Sequence, residues 1–220
     1  MRGHMRRLAL ALMAMGTLAL ADVAATLLWQ EPLTAFAQDQ RQGNLGEELE
    51  RISLPEPAPA SDPRARLASL SRSLRRSQDE GDPVGRVVIP SIGVEDVIVE
   101  GTSARSLREG PGHYPRSPLP GARGTVAVAG HRTTHGAPFA DIGELGRGDR
   151  VELEMPYGRF TYEVEGNRIV TPDDVGVLKD VGRNRLVLTA CHPKWSAAKR
   201  LVVFARLTGV DARTSSRPPA

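Results

Sequence analysis

The sequence predicts a mainly β protein, namely a closed β-barrel of seven to eight strands with short helices, preceded by an N-terminal transmembrane helix and a linker. Three observations favour this fold class. From residue 83 onward, short apolar or alternating segments follow one another closely, with glycine or proline between them. Residues 8–29 form one apolar run without Lys or Arg. The segment between these two parts has the composition of a spacer.

The N-terminal region, residues 1–29, is predicted to be a cytoplasmic basic tip and a transmembrane helix. The apolar run would extend about 33 Å as a helix, at about 1.5 Å per residue, against a hydrocarbon core of about 30 Å. Arg2, Arg6 and Arg7 precede it and should stay in the cytoplasm, which puts the remaining chain outside. We therefore expect a single-pass protein of the cell membrane, held by membrane lipid and with an extracellular domain. A cleaved signal peptide is the alternative, because small residues at 19–21 and 35–37 fit cleavage sites.

Residues 30–82 are predicted to form a flexible linker. The proline-rich residues 55–59, many polar side chains and only scattered leucines indicate a segment that cannot bury a core and stays largely extended. Within it, Leu67, Leu70 and Leu74 recur at helical spacing among arginines and predict a short basic amphipathic helix. Such a helix either lies on anionic lipid or docks weakly on the folded domain.

The folded domain is expected over residues 83–208. Apolar or alternating segments predict strands over residues 84–89, 97–100, 124–130, 150–155, 159–168, 186–191 and 200–207. Short helices are expected over residues 103–109 and 138–145. Roughly 125 residues suffice for one barrel core. The last segment, 209–220, is predicted to be a disordered tail.

Composition narrows the possible functions. The formal net charge is +3 and aromatic residues make up 4% of the chain, so neither an extended basic surface nor stacking platforms for nucleic acid are expected. The only cysteine of this exported chain, Cys191, cannot form an internal disulfide. It is therefore a buried inert thiol, an intermolecular partner or a reactive thiol.

Three residues with complementary chemistry stand at strand boundaries. Cys191 ends one predicted strand, His131 directly follows another, and Arg200 opens the last. A thiolate can attack a carbonyl carbon, an imidazole can transfer protons, and a guanidinium can donate hydrogen bonds to an oxyanion. Taken singly, each residue also has a structural interpretation, as a packed thiol, a capped loop residue and a solvated cation.

The amino-acid sequences around these three residues resemble those of a known family. The string VLTAC at 187–191, Arg200 shortly after it, and GHR at 130–132 resemble the signature of bacterial sortases. The longer strings AGHRTTHGAPF at 129–139 and CHPKWSAAKRLVVFA at 191–205 are similar to the actinobacterial class E sortases in particular. This resemblance covers residues 83–208 and implies a sortase-type β-barrel.

The resemblance also implies an activity and roles for the residues that match. A sortase is a cysteine transpeptidase that joins surface proteins with a C-terminal sorting signal to an amine of a peptidoglycan precursor. One sortase class is stimulated by calcium, but this chain has no dense acidic cluster, and no cofactor or metal is predicted for it. Cys191 would cleave an LPxTG- or LAxTG-like signal between Thr and Gly and form a thioacyl intermediate. His131 would be the acid/base group, and Arg200 would hold the substrate and stabilise the oxyanion. The active pair in this family is thiolate plus imidazolium.

The chain departs from the family pattern at several positions. Thr189 and Ala190 are expected to contact substrate, and Ala190 replaces a threonine whose hydroxyl would lie near the oxyanion. Trp195, in the segment between Cys191 and Arg200, either walls the substrate groove or packs at the surface. His135 stands where class E sequences often carry an aromatic residue.

Three other interpretations accompany this prediction. His131, His135, Cys191 and His192 could be zinc ligands, but the glycine and proline after residue 135 disfavour the helix that such spacing needs, and no metal site is predicted. A cysteine peptidase would use the same residues with water as acceptor. A noncatalytic surface-binding barrel would use Cys191 only for packing. His113 is expected to be a loop residue near the site at most.

Overall fold

The computed structural model describes residues 2–29, 32–55 and 62–212. The helices are α1 (Arg2–Trp29), α2 (Pro32–Arg51), α3 (Pro63–Ser77) and α4 (Ser106–Glu109). The strands are β1 (Pro83–Ile89), β2 (Val94–Glu100), β3 (Gly112–His113), β4 (Thr125–Gly130), β5 (Arg150–Met155), β6 (Gly158–Val170), β7 (Arg185–His192) and β8 (Lys199–Ala212). Short 3-10 helices occupy Pro90–Ile92, Ile142–Glu144 and Val175–Leu178.

The strands close into one barrel in the order β1-β2-β3-β4-β7-β8-β6-β5, which confirms the predicted mainly β fold. At its centre β4 and β7 run parallel, and β7 and β8 run antiparallel. Side chains alternate between the two faces of each strand. In β7, Leu188 and Ala190 therefore enter the interior core, while Val187 joins a second apolar cluster on the outer face.

The C-terminal strand is longer than the sequence predicts. Residues 209–212 continue β8, because the equally long β6 offers a partner as far as Gly158, which pairs with Ala212. The predicted disordered tail is therefore wrong for these four positions. Residues 213–220 lie outside the described part of the chain.

Helix α3 closes one end of the barrel. The three leucines that predict it, Leu67, Leu70 and Leu74, are buried in the interior core cluster. Ser71 Oγ donates a hydrogen bond of 3.0 Å to the carbonyl oxygen of Leu119, just before β4 begins. The apolar face of α3 is thus used by the barrel core, which excludes its use for lying on lipid.

Helix α2 packs along the side of the barrel, where the sequence predicts an extended linker. Leu45 is buried against Val97 and Val99 of β2. The side-chain amide of Gln42 accepts a hydrogen bond of 2.6 Å from the Val97 N–H and donates one of 2.8 Å to the Glu109 carbonyl. The linker prediction is wrong here because polar glutamines, and not an apolar stripe, complete the open edge of β2.

The direction of α2 is set by its contacts. Gln38, near its start, packs against Gly136 in the loop that follows β4. Leu49, near its end, lines a cleft with Met155 at the opposite end of the barrel. The helix therefore begins beside the ends of β4 and β7 and runs away from them.

The predicted transmembrane helix is not confirmed. Helix α1 includes the apolar run at 8–29. Within the part of the chain that the structure describes, we find no helix with both the length and the apolar character that a membrane crossing requires.

Candidate active site

The three residues that the sequence analysis selects meet at one end of the barrel. Cys191 and Arg200 are direct cross-strand partners in the β7–β8 ladder. In the β4–β7 ladder Gly130 pairs with Ala190, so continuing that register by one residue sets His131 beside Cys191. Side-chain alternation then directs all three to the outer face of the sheet. The thiol of Cys191 is free and partly accessible.

Gly130 and Phe139 shape the loop that carries His131. A Cβ atom at Gly130 would lie 2.5 Å from the Phe139 ring, so only glycine permits this ring to pack on the end of β4. The Phe139 N–H donates a hydrogen bond of 2.9 Å to the His131 carbonyl. The loop is thereby folded back over the strand end, and His131 has a defined position.

A second imidazole faces His131 from the same loop. The ring centroids of His131 and His135 are 5.0 Å apart. Burial lowers the pKa of His131 from its ordinary value, because the imidazolium form loses water, and the charges of His135 and Arg108 lower that pKa further. The imidazolium of His131 is accordingly a stronger acid than a solvated one.

Arg132 connects the histidine loop, which we define as residues 131–141, to β7, the strand that contains Cys191. Its Nε donates a hydrogen bond of 3.2 Å to the Ala140 carbonyl. Its Nη1 lies 3.5 Å from the Cys191 carbonyl oxygen and 3.2 Å from His192 Nδ1. The residues that follow His131 and Cys191 are thus joined directly. Sequence reasoning missed this contact, and the only signal for it was that Arg132 and His192 each adjoin a selected residue.

The guanidinium of Arg200 is held by its own loop. Its Nη1 donates hydrogen bonds of 3.0 Å each to the carbonyls of Ala197 and Lys199. No hydrogen bond joins its other nitrogens to any residue that the structure describes, and no described carboxylate pairs with it. Those donors remain available on the face that carries Cys191.

Two of the predicted substrate contacts lie on different faces. Thr189 shares the outer face with Cys191, and its Oγ1 is 2.9 Å from the Tyr114 hydroxyl. Ala190 points the other way, into the barrel core, and is only 3% exposed. The expectation that the side chain at this position contacts the oxyanion is therefore corrected, because strand periodicity turns it inward. Trp195 is largely exposed, between Cys191 and Arg200 in the chain.

A second apolar cluster lies on the outer face of the sheet beyond Cys191. Ala127, Val187 and Val202 form it, and all three are fully buried. The Tyr114 side chain, Phe204 and the 3-10 helix Val175–Leu178 pack against these residues and cover them. A cavity of about 590 Å³ at the far end is lined by Phe204 and the cations Arg168 and Arg185, and neither Cys191 nor His131 reaches it.

His113 is a buried strand residue and not the loop residue that the sequence suggests. Its Nδ1 lies 2.7 Å from a Glu100 carboxylate oxygen, and its Nε2 lies 2.9 Å from Ser117 Oγ. The Ser117 hydroxyl also accepts a hydrogen bond from the Ala127 N–H. This network fixes the chain on either side of Tyr114, which packs on the outer apolar cluster. No group of three or more His, Cys, Asp or Glu side chains within residues 2–29, 32–55 and 62–212 could hold a metal ion.

Comparison with protein families agrees with the geometry. A model described as the sortase domain matches residues 87–208. The chain is 37% identical over 132 residues to sortase D of Bacillus subtilis, a match that covers 58% of this chain and 65% of that protein. It is 30% identical over 145 residues to sortase A of Bacillus anthracis, covering 66% of this chain and 69% of that one. The chain therefore spans just under two thirds of the Bacillus subtilis relative.

Solved structures show the same fold. Sortase E from Streptomyces avermitilis superposes with a TM-score of 0.57 at 33% identity, covering 64% of this chain and 97% of that one. Sortase E1 from Streptomyces coelicolor, solved with a tripeptide in its active site, gives a TM-score of 0.59 at 28% identity, covering 64% and 98%. The relatives carry several class names, so the class E resemblance stays a prediction.

Proposed function

The chain belongs to the sortase family, and we propose that it is a cysteine transpeptidase that cleaves an LPxTG- or LAxTG-like sorting signal and transfers the acyl group to a cell-wall amine. The observation that carries this proposal is the cross-strand pairing of Cys191 on β7 with Arg200 on β8. On the other side of β7 lies β4, whose C-terminal end leads into His131. A nucleophile, an oxyanion donor and a proton-transfer group on one face are what acyl transfer requires.

In the first half-reaction the Cys191 thiolate attacks the carbonyl carbon of the signal threonine. The free N–H groups of Arg200 donate to the oxyanion that forms. His131, as imidazolium, gives its proton to the glycine nitrogen, and the Thr–Gly bond breaks to leave a thioester on Cys191. The lowered pKa of His131 favours this proton transfer, because it makes the imidazolium more acidic.

In the second half-reaction an amine of a peptidoglycan precursor attacks the thioester. His131 takes a proton from the attacking nitrogen, and the thiolate leaves. Thr189 lies on the same face as Cys191, beside the Tyr114 hydroxyl, and Trp195 is exposed in the segment between Cys191 and Arg200, so we expect both to contact the signal. The acyl donor is a surface protein with a C-terminal sorting signal.

We also propose that the N-terminal segment anchors the protein in the cell membrane, with its N-terminus in the cytoplasm and the barrel outside. The apolar run at 8–29 and the arginines before it support this orientation. Protease protection of the barrel in sealed protoplasts tests it. Digestion of the barrel from outside is the expected result, and full protection would refute the topology.

Turnover of fluorogenic LPxTG and LAxTG peptides by the full chain in detergent tests the activity. We expect Cys191→Ala to abolish cleavage. We expect Arg200→Lys to lower kcat by about a hundredfold or more, because lysine lacks the planar fork of donors. Lys199→Ala, at the exposed neighbouring position, is the matched control and should cleave at the wild-type rate.

The acceptor distinguishes transpeptidation from hydrolysis. With glycine- or diaminopimelate-type amines present, the wild type should form the amide product. Hydrolysis alone would favour a cysteine peptidase. Unchanged turnover in Cys191→Ala would refute the mechanism, and failure of the folded protein to react with a vinyl sulfone at Cys191 would favour a noncatalytic barrel.

A further inference from the structure

His135 is a second histidine beside the proposed acid/base group. Its ring centroid lies 5.0 Å from that of His131, and the two ring planes are inclined by 47°. No hydrogen bond links either ring to a residue in the described part of the chain. Both rings are partly exposed, so their nitrogens are free to exchange protons with a bound molecule or with water.

The loop holds His135 in a backbone conformation that few residues adopt. His135 has a φ of 53°, and the next residue, Gly136, has a φ of 72°. The left-handed region is unfavourable for most side chains, although Asn, Asp and His enter it more often than others. Gln38 of α2 packs on Gly136 at a distance that leaves no room for a Cβ, so the loop is supported from outside.

The second half-reaction needs more than one proton acceptor. An amine acceptor arrives mostly as an ammonium near neutral pH, because free α-amino groups have pKa values of about 8. Its nitrogen carries three protons, and the nitrogen of the amide product carries one. His131 accounts for the proton lost as the tetrahedral intermediate collapses. The proton that must leave before attack has no assigned acceptor.

We propose that His135 is a catalytic residue that accepts the first proton from the acceptor ammonium, an inference that rests on the proposed transpeptidase function. The ammonium gives one proton to the neutral His135 ring, which passes it to solvent. The free amine then attacks the thioester on Cys191, His131 takes the second proton, and the thiolate leaves. Overall, the ammonium, the thioester and neutral His131 react to give the amide, the thiolate and protonated His131, and one proton is released to water.

The surroundings of the loop favour an imidazole for this task. Arg108 on α4 and Arg132 at the start of the loop are cations and accept no proton. Asp141 at the end of the loop is paired with Lys194 at 2.9 Å, and Asp39 on α2 is exposed next to Gln38. Asp96 of β2, whose pKa burial raises, lines a pocket with Gly136 and Asp141 to which neither His131 nor His135 contributes. Imidazole is the side chain that takes up and releases protons near neutral pH.

The charge coupling between the two rings determines the order of the two transfers. A proton on His135 lowers the pKa of His131, because two like charges lie close together. His135 must therefore release its proton to water before His131 takes the second one. The partial exposure of His135 provides that route.

The test compares two acceptors in full-chain His135→Asn. Asparagine tolerates the positive φ but is not a base. Thioester formation is followed by single-turnover release of the leaving peptide, and its aminolysis by product formation with diglycine or with hydroxylamine, which is largely unprotonated at pH 7. We expect the ratio of diglycine to hydroxylamine rates to fall about tenfold in the variant at pH 7. The ratio should return towards the wild-type value near pH 9, where diglycine supplies its own free amine.

Each other outcome overturns the inference. An equal loss with both acceptors would mean that His135 only positions His131. An unchanged ratio would mean that His135 takes no proton. Thr134→Val, at the neighbouring position, is the matched control and should keep the wild-type ratio. A wild type that forms no thioester would refute the proposed function itself, and the inference with it.

Discussion

At the scale of single residues, Arg132 holds together the proposed catalytic pair, Cys191 and His131. One guanidinium contacts the Ala140 carbonyl, the Cys191 carbonyl and the His192 ring, and so connects the histidine loop to the end of β7. Displacing a reacting group by about 1 Å can cost about a hundredfold in rate. A side chain that touches no substrate can therefore govern the chemical step.

We expect Arg132→Met to lower kcat for peptide cleavage by about ten- to a hundredfold and to change KM little, because the loop loses its link to β7. Steady-state kinetics with the fluorogenic peptide measures both constants. The double variant with His192→Ala should lose less than the product of the two single losses, since the side chains share one contact. Lys194→Met breaks the exposed ion pair between the segment after β7 and Asp141, and it should have a much smaller effect because exposed ion pairs contribute little. An unchanged kcat in Arg132→Met would contradict this role.

The sequence predicts candidates for the reactive residues more readily than it predicts the residues that hold those candidates in place. The sequence allows a choice of Cys191, His131 and Arg200 because their side-chain chemistry, their positions at strand ends and the resemblance to sortase motifs agree. The contact of Arg132 with His192 joins two segments that are far apart in the chain, and no local pattern shows it. The inward direction of the Ala190 side chain follows from the alternation of side chains along a strand, so the sequence alone is enough to predict it.

At the scale of elements, α2 completes an edge of the barrel through polar contacts. Near the start of α2, Asp96 of β2 lines a small pocket with Gly136 and Asp141. Burial raises the pKa of this carboxyl to about 6, helped by the charges of Asp39 and Glu95 and opposed by Arg86. The folded state thus binds a proton more tightly than the unfolded state. Ionisation of Asp96 therefore lowers the free energy of unfolding. This loss is absent at pH values below the unfolded pKa of 3.8 and is complete above about pH 6.

We expect Asp96→Asn to raise the free energy of unfolding at pH 7.5 by up to about 3 kcal/mol, because the asparagine carries no charge to desolvate. At pH 4 the difference from the wild type should nearly vanish. Urea unfolding at both pH values measures it. Asp39→Asn removes one of the contributing charges and should give a smaller gain of the same sign. A variant less stable than the wild type at pH 7.5 would refute the assignment.

The sequence predicted elements with apolar periodicity and missed those without it. Residues 150–155 appear as a strand with the predicted bounds, because Val151, Leu153 and Met155 alternate with charged neighbours. Strand β3 has only two residues and carries no period. Residues 32–51 are predicted to be part of an extended linker but form α2, because the amides of Gln38 and Gln42 that help to fix this helix carry no apolar period.

At the scale of the whole molecule, α3 and the active site occupy opposite ends of the barrel. The leucines of α3 share the core with the barrel interior, whereas Cys191 and Arg200 lie where β7 ends and β8 begins. Stability and chemistry are therefore separable along the barrel axis. The sequence predicted the helix from its leucines but not the strength of its docking, since periodicity does not show what a helix face covers.

We expect Leu74→Ala to lower the free energy of unfolding by about 2–5 kcal/mol, because Leu74 is 0% exposed and its removal leaves a cavity in the core. Denaturant unfolding measures the loss. The activity of the folded fraction should stay at the wild-type level at low temperature. Leu49→Ala, at a partly buried position on α2, is the matched control and should cost less. A loss below about 1 kcal/mol for Leu74→Ala would show that α3 lies outside the cooperative core.

The direction of α2 has a practical consequence for how the protein can be handled. Because α2 begins beside the histidine loop, a bead, fusion partner or surface coupled ahead of α2 crowds the side chains of Cys191 and His131. Strand β8 runs from Lys199, next to the active site, to Ala212 at the opposite end of the barrel. Coupling through the C-terminal side therefore leaves the end of the barrel with Cys191 facing solution, and for large acyl donors that is the favourable geometry for immobilisation.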